Sequence, residues 1–258
     1  MSEHELQNKI EDEIRQLIVK KISELNRRDL FREPLVGFSR ADDTRYEQLK
    51  SSIGEWHKNP AELFPEAVSV ISYFVPFTRD VAFSPKNSMQ ETPAWGESYA
   101  VINSYFDKIN SAIKNYLETK GFQSYTIAAT HTYNEADMKS MWSHRSAAAI
   151  AGLGKFGANR MLITPKGSAG RFSTVLTSAF LNPSQPIADD LCPYKRNKSC
   201  GLCFKICPVH ALQSDGINRF ACQAETRKNE RLLELNAGIY NADTCGKCVS
   251  VCPYAYIK

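Results

Sequence analysis

Cysteine is absent from the first 191 residues of this 258-residue sequence, and all eight cysteines lie between Cys192 and Lys258. The disulfide frameworks of secreted proteins spread their cysteines along the chain, so this distribution argues against four disulfides. No apolar run reaches the roughly 18 residues that a membrane span needs. No low-complexity tract or signal peptide is apparent either, so we expect a cytoplasmic protein in a reducing compartment, without membrane association.

An excess of one charge is also missing from most of the chain. Up to residue 191 there are 22 Lys and Arg against 23 Asp and Glu, whereas the remaining residues carry ten against five. The formal net charge of +4 therefore comes from the cysteine-rich segment. It does not by itself predict a nucleic-acid partner. The length allows one large or two smaller domains with a sizeable core.

Two blocks near the carboxyl end repeat the pattern C-x2-C-x3-C-P, at Cys200–Pro208 and at Cys245–Pro253. Thiolates two residues apart can curl around one metal centre. In bacterial two-cluster ferredoxins the run is C-x2-C-x2-C-x3-C-P, and its fourth cysteine serves the other cluster. In the two blocks, Asn197 and Ala242 stand where the first cysteine of that run would be. Each block therefore needs one further cysteine from elsewhere in the segment.

Cys192 and Cys222 are the natural replacements, because eight cysteines then fill two sites of four thiolates. This count predicts two [4Fe-4S] clusters, and the surplus of basic residues would offset their charge of about −2 each. Zinc is the alternative for C-x2-C pairs, but it does not explain the Cys-Pro after each pair. The predicted ligands are Cys192, Cys200, Cys203 and Cys252 for cluster one, and Cys222, Cys245, Cys248 and Cys207 for cluster two.

The rest of the chain shows patterns of both helix and strand, which predict an α+β (α/β-like) fold. Apolar residues at three- and four-residue steps indicate helices at 3–30 and 99–120. A polar helix is predicted near 44–53, and helices are also predicted at 136–151 and 223–240. Runs of β-branched and aromatic residues indicate strands at 67–74, 124–132, 160–164 and 171–181. Residues 77–95 have little periodicity, and a loop of that length is usually a lid, a binding loop or disordered.

The glycines Gly152, Gly154 and Gly157 form G-x-G-x-x-G, a nominal dinucleotide fingerprint. That fingerprint should follow a strand and open a helix, whereas this one follows a predicted helix and opens a predicted strand. We therefore predict a flexible backbone close to a planar ligand other than a dinucleotide. The predicted cofactor-binding residues are these three glycines and Asn159.

The order of these parts resembles the epoxyqueuosine reductase family, which is related to the corrinoid reductive dehalogenases. The resemblance runs from about residue 65 to 252, through Ala151–Gly154 with Asn159, the strand 161–163, Lys166–Gly167 and the cysteine pattern with Cys222 interposed. It implies a degenerate nitroreductase-like domain for cobalamin or another ligand at 1–186, followed by a double-cluster ferredoxin-like domain at 187–258. Short members from anaerobes share the spacing of Cys192–Pro208.

Three features depart from the family pattern. The lysine of the family's G-K-N is Ala158 here. Six residues follow Cys252, so we expect no helical-repeat extension of the kind associated with tRNA handling. The nearest match to the family's catalytic acid is Asp137, which is one residue out of register. We therefore expect a substrate other than epoxyqueuosine in tRNA, and no nucleic-acid partner.

The resemblance implies an iron-sulfur oxidoreductase. One cluster would accept single electrons from a small donor of ferredoxin or flavodoxin type, and the other would pass them to an acceptor in the first domain. A base-off cobalamin that reduces a small organic substrate is the suggested acceptor, and Asp137 or Tyr133 would protonate the product. One alternative is a non-enzymatic protein that reduces a partner's corrinoid or other cofactor. Another is a binding protein whose clusters are structural.

Overall fold

An antiparallel sheet forms the centre of the structure, a computed structural model that describes residues 3–88, 92–128, 136, 138 and 140–258. Its order is β1-β2-β6-β3, every neighbouring pair is antiparallel, and β4 and β5 pair separately. This arrangement confirms the predicted α+β class. The strands are β1 (Leu35–Arg40), β2 (Ser69–Pro76), β3 (Ser124–Thr126), β4 (Lys155–Phe156), β5 (Leu162–Ile163) and β6 (Gly170–Thr177).

Helices cover both faces of this sheet. On one face Asn110 donates to Ser173 of β6, and on the other His144 contacts Thr174 of β6. Within the described residues, none of the helices is both long enough and apolar enough to cross a membrane. The helices are α1 (Glu3–Glu24), α2 (Thr44–Ile53), α3 (Pro60–Leu63), α4 (Arg79–Phe83), α5 (Pro93–Thr119), α6 (His144–Ile150), α7 (Pro193–Asn197), α8 (Leu202–Lys205), α9 (Arg219–Ala237) and α10 (Lys247–Ser250).

Strand β2 is buried along its whole length because both of its faces are covered. Ile71, Tyr73 and Val75 belong to the main core, which they share with residues of α1 and α5. Val70 and Phe74 point the other way, into two smaller clusters. A strand covered on both faces has no solvent side to require polar residues, which explains its largely apolar sequence.

Helix α5 supplies the longest apolar stripe of the core. The members of that stripe recur at three- and four-residue steps and are fully buried: Ile102, Phe106, Ile109, Ile113 and Leu117. Each such side chain contributes about 1.5–3 kcal/mol by burial. The helix ends where Gly121 adopts φ +83° and the Phe122 N–H donates to the Leu117 carbonyl, a left-handed termination that is common at helix carboxyl ends.

Several predicted bounds are wrong. The predicted loop 77–95 contains α4 and the first turn of α5. The predicted helix 3–30 ends at Glu24, just before Asn26 takes up a left-handed conformation with φ +53°. Within the described part of the predicted strand 124–132, β3 covers Ser124–Thr126. The predicted helix 136–151 is helical from His144, where the Ser143 side chain caps the first turn.

The cysteine-rich segment packs closely against the rest of the chain. The Trp95 indole N–H donates to Thr244 Oγ1 at 2.8 Å, and the Ala169 N–H donates to the Ala255 carbonyl at 2.9 Å. A Cβ on Gly96 would lie 2.6 Å from Leu233 Cδ1, so this glycine lets α9 approach α5. Val249 of α10 is part of the main core. The predicted domains 1–186 and 187–258 therefore share a packed contact. Their division between residues 186 and 187 stays a prediction.

We predict that Gly167→Ala destabilises the fold more than Gly121→Ala. Both glycines have a left-handed backbone, with φ +99° and φ +83°, so both substitutions carry that strain. Only the Cβ at Gly167 would meet another part of the chain, 2.5 Å from the Ala255 carbonyl oxygen, while nothing lies within 4 Å at Gly121. The free energy of unfolding should fall by about 1–3 kcal/mol more for Gly167→Ala. Equal losses in chemical denaturation would contradict this packing of the carboxyl-terminal tail.

Candidate functional site

Four cysteines from separate parts of the chain line one small, partly open cavity. Cys192 immediately precedes α7, Cys203 lies in α8, and Cys252 follows α10. The cavity-lining cysteines are Cys192, Cys200, Cys203 and Cys252, which are the four predicted for cluster one.

The other four cysteines are neighbours of one another. Burial raises the pKa of Cys222, and the next contributions come from Cys245 and Cys207. Burial raises the pKa of Cys248 to about 12, and Cys245 and Cys222 contribute next. Cys203 of the first group also acts on Cys248, so the two groups adjoin. All eight cysteines are free of disulfides.

The buried thiols are poorly suited to direct redox or nucleophilic chemistry. Burial raises the pKa of Cys203 and of Cys252 to about 11, so both are protonated at neutral pH. A protonated thiol is a weak nucleophile, whereas a bound metal displaces the proton and takes the thiolate. These thiols are therefore better suited to ligating a metal group than to acting as reactive cysteines.

The donor set of the first group suits an iron-sulfur cluster. Four thiolates are the usual ligands of such a cluster, and each binds a different iron atom. The four cysteines that line the cavity provide that set. Among the described residues, no group of three His, Cys, Asp or Glu side chains is placed to hold a single metal ion.

Part of the glycine loop lies against the first group of cysteines. Gly157 and Asn159 line the cavity together with Ala158, whose N–H donates to Cys192 Sγ at 3.4 Å. The Asn159 side chain donates to the Cys248 carbonyl at 3.2 Å, and so reaches the second group. Hydrogen bonds to ligand sulfurs are one of the factors that set the potential of a cluster. Two of the predicted cofactor-binding residues thus border the cysteine cavity.

Gly152 and Gly154 pack against the protein itself. A Cβ at Gly152, where φ is +75°, would lie 2.5 Å from the Gln185 carbonyl oxygen, and one at Gly154 would meet the Ile163 carbonyl. Glycine is needed at these positions to let backbone approach backbone. Contact of either residue with a planar ligand stays a prediction.

An exposed arginine lies near the second group of cysteines. Arg145 is exposed, and yet its surroundings are dense enough that burial lowers its pKa. Its electrostatic neighbours include Arg171, Cys248 and Tyr99. Sequence reasoning did not identify Arg145.

The predicted catalytic residues Tyr133 and Asp137 lie outside the described residues, so their roles stay predictions. His144 contacts the last described residue before residues 129–135, because its Nε2–H donates to the Ala128 carbonyl at 3.1 Å. Its Nδ1 then accepts from the Thr174 hydroxyl at 2.7 Å. Both ring nitrogens are committed, and His144 is therefore a structural residue.

An open surface groove lies away from the cysteines. Residues of α2 and the polypeptide before it form most of its lining, including Asp42, Asp43 and Glu47. None of its lining residues is a cysteine. We therefore place the functional site at the cysteine-lined cavity and around Arg145.

Comparison with known proteins identifies relatives of this chain, although no protein-family model matches it. It is 24% identical over 253 residues to an epoxyqueuosine reductase of Staphylococcus aureus, covering 84% of this chain and 60% of that protein. The corresponding enzyme of Lactococcus garvieae is 27% identical over 248 residues, with 85% and 65% covered. The chain is a relative of the epoxyqueuosine reductases. It spans less than two thirds of the length of both enzymes.

Solved structures show the same fold for this relative of the epoxyqueuosine reductases. An epoxyqueuosine reductase bound to an epoxyqueuosine-modified tRNA stem loop has a TM-score of 0.63 at 21% identity, covering 98% of this chain and 66% of that one. A catabolic reductive dehalogenase in complex with 3-bromo-4-hydroxybenzoic acid has a TM-score of 0.56 at 15% identity, covering 86% and 30%. The family resemblance and the fold predicted from the sequence are both confirmed.

We predict that His144→Gln flattens the pH dependence of stability between pH 6.5 and pH 4. Burial lowers the pKa of His144 from 6.5 to about 4, so the unfolded chain binds the proton first. The stability that depends on the neutral ring is present in full above pH 6.5 and is lost as the pH falls towards 4. For the wild type this loss amounts to about 3 kcal/mol.

Chemical denaturation across that pH range measures the difference. His210→Gln is the matched control, because His210 is exposed and its replacement should leave the pH dependence unchanged. If His144→Gln and the wild type lost stability in parallel, His144 would not be held neutral by the fold.

Proposed function

We propose that this chain is an iron-sulfur oxidoreductase that passes single electrons through two [4Fe-4S] clusters to an acceptor near Arg145. The division of all eight cysteines into two adjoining groups of four carries this proposal. Four thiolates are the usual ligand set of such a cluster. Cluster one would be held by Cys192, Cys200, Cys203 and Cys252, and cluster two by Cys222, Cys245, Cys248 and Cys207.

The surroundings of the two groups support a direction for electron flow. Leu202 lines the first cavity and is 42% exposed, so cluster one would lie near the surface. Cys222 and Cys248 are electrostatic neighbours of Arg145. Cluster two would therefore face an acceptor that binds near Arg145. Electrons would enter at cluster one and leave from cluster two, and the adjoining Cys203 and Cys248 mark the crossing point.

The surface around cluster one supports an acidic redox protein of ferredoxin or flavodoxin type as the electron donor. Between residues 191 and 220 there are five basic residues and one acidic residue, and all six are exposed. Complementary charge raises the rate at which such partners meet. The basic residues are Lys195, Arg196, Lys198, Lys205 and Arg219. A reducing compartment such as the cytoplasm suits both partners.

A cobalamin is our proposed acceptor, and it would reduce a small organic substrate. Support comes from a structural neighbour, a reductive dehalogenase associated with B12-dependent dehalogenation, with a TM-score of 0.55. Arg145 and its electrostatic neighbours Arg171 and Tyr99 would hold the cofactor. Bound cobalamin supplies a low-potential metal centre for reducing organic molecules. Because both nitrogens of His144 are committed, that residue would not replace the lower base.

Tyr133 and Asp137 remain our candidates for the residue that protonates the product. A Bacillus subtilis epoxyqueuosine reductase of similar fold has a catalytic aspartate on a loop that can swing out of its active site, which supports Asp137. We propose a small molecule rather than a nucleic acid as the substrate, because the first 191 residues are nearly neutral. A polyanion is usually bound by an excess of basic residues.

We predict that Cys192→Ala and Cys222→Ala each remove one cluster, because each takes away one of four ligands. Iron analysis after anaerobic reconstitution should give about eight iron atoms per chain for the wild type and about four for each variant. Ser214→Ala, an exposed residue of the same segment, is the control and should keep the full content. A colourless wild type after careful iron loading, or variants with undiminished iron, would contradict the assignment.

We also predict that the reconstituted protein binds cobalamin and shifts its absorption spectrum to that of the base-off form. Cys222→Ala should still bind it but should fail to reduce it, because cluster two is the proposed electron source. A cobalamin spectrum unaffected by the protein would remove the corrinoid from this proposal and leave the clusters in place. Reduction of a corrinoid protein but not of free cobalamin would favour an electron-transfer protein over an enzyme.

A further inference from the structure

A buried lysine lies within the second block of cysteines. Lys247 stands between Cys245 and Cys248, at the first position of α10, and is only 7% exposed. Its ammonium group donates to the Ser88 carbonyl, in the segment that follows α4. Among the described residues, no carboxylate forms an ion pair with this ammonium group. Lysine is almost never fully buried unless its charge is paired, so the thiolates that flank Lys247 in the chain are the natural counterpart of its charge.

The charge of Lys247 acts on a predicted ligand of cluster two. Burial raises the pKa of the Cys245 thiol, whereas a hydrogen bond from the Lys247 backbone and the charge of the Lys247 side chain lower it. Both effects favour negative charge on the sulfur. At Cys203 and Cys252 of the first group, the main contributions come from burial, backbone hydrogen bonds and other cysteines. The buried lysine therefore distinguishes the second group from the first.

A buried carboxylate acts in the opposite direction. Glu225 of α9 is 9% exposed. After burial, which is the main cause, its negative charge is among the effects that raise the pKa of Cys222 and Cys245. Glu225 has a partner of its own, because Lys228 Nζ lies 3.6 Å from its carboxylate. The charge of Glu225 is therefore partly offset, whereas that of Lys247 is bonded to a neutral carbonyl.

We propose that the buried charge of Lys247 raises the reduction potential of cluster two, and so favours electron transfer from cluster one to cluster two. This inference rests on the proposed function, because it requires both clusters. Net charge and hydrogen bonds to the sulfurs are among the factors that set the potential of a cluster. A nearby cation stabilises the reduced cluster, which carries one more negative charge than the oxidised one. One electron leaves reduced cluster one and enters oxidised cluster two, with no bond made or broken.

A redox titration followed by electron paramagnetic resonance tests the proposal on the anaerobically reconstituted protein. Cys192→Ala should keep cluster two alone, so the transition that persists in that variant assigns the two potentials. In the wild type, cluster two should have the higher potential. Lys247→Met removes the charge from a side chain of similar length. It should make the potential of cluster two more negative and leave that of cluster one nearly unchanged.

We expect a shift of about 59 mV, which corresponds to a tenfold change in the equilibrium constant of a one-electron reduction. A unit charge about 10 Å away at an effective dielectric constant of about 20 has an effect of this order. Glu225→Gln should shift the same potential in the opposite direction, and Lys247→Arg should retain most of the wild-type value. Lys205→Met is the matched control, because Lys205 also lies within a block of cysteines but is exposed, so water and salt screen its charge.

A cluster two with the lower potential in the wild type would overturn the proposal. Equal potentials of cluster two in the wild type and Lys247→Met would also overturn it, and so would an equal shift of both clusters. If Lys247→Met lost iron, Lys247→Gln would decide, since it is neutral but can still donate to the Ser88 carbonyl. A wild type that binds no iron would instead overturn the proposed function, and this inference with it.

Discussion

The close packing of the carboxyl-terminal segment against α5 and the glycine loop is the constraint on which the site depends. Neither block of cysteines contains four ligands by itself, so each group of four can form only if distant parts of the chain are held together. The Trp95–Thr244 and Asn159–Cys248 hydrogen bonds provide such links. Each joins the first part of the chain to the segment that carries the thiols, and so couples the fold to the geometry of the site.

Electrostatics distinguishes the two groups of cysteines. The first group lies near a basic, exposed surface, while the second has Arg145 as an electrostatic neighbour. A cluster near the surface would suit exchange with another protein, and a cluster beside an exposed arginine would suit transfer to a bound molecule. The direction of electron flow that we propose therefore follows from position and charge.

The comparisons place these features on a fold that supports more than one chemistry. Epoxyqueuosine reductases and reductive dehalogenases are both similar to this structure, although their substrates differ. A shared sheet and shared helices therefore do not decide what is reduced. That choice depends on the side chains at the site rather than on the fold.

The periodic elements and the grouping of cysteines could be proposed from local information. Helix α5 and strand β2 show repeating apolar residues along many positions, and these survive in the structure because burial selects them. The cysteine spacing is also local, and simple counting leads to two sets of four. Short elements such as α4 were missed, because a single turn carries too few residues to display a period.

The sequence by itself determined the thiol content, the paired blocks and the main helices and strands, because each depends on neighbours along the chain. Only the tertiary structure decided that Gly157 and Asn159 border the cysteine cavity, whereas Gly152 and Gly154 separate backbone segments. It also decided that Arg145 lies near Arg171 and the second group of cysteines. Such contacts join residues far apart in the chain, and no local pattern records which of them folding brings together.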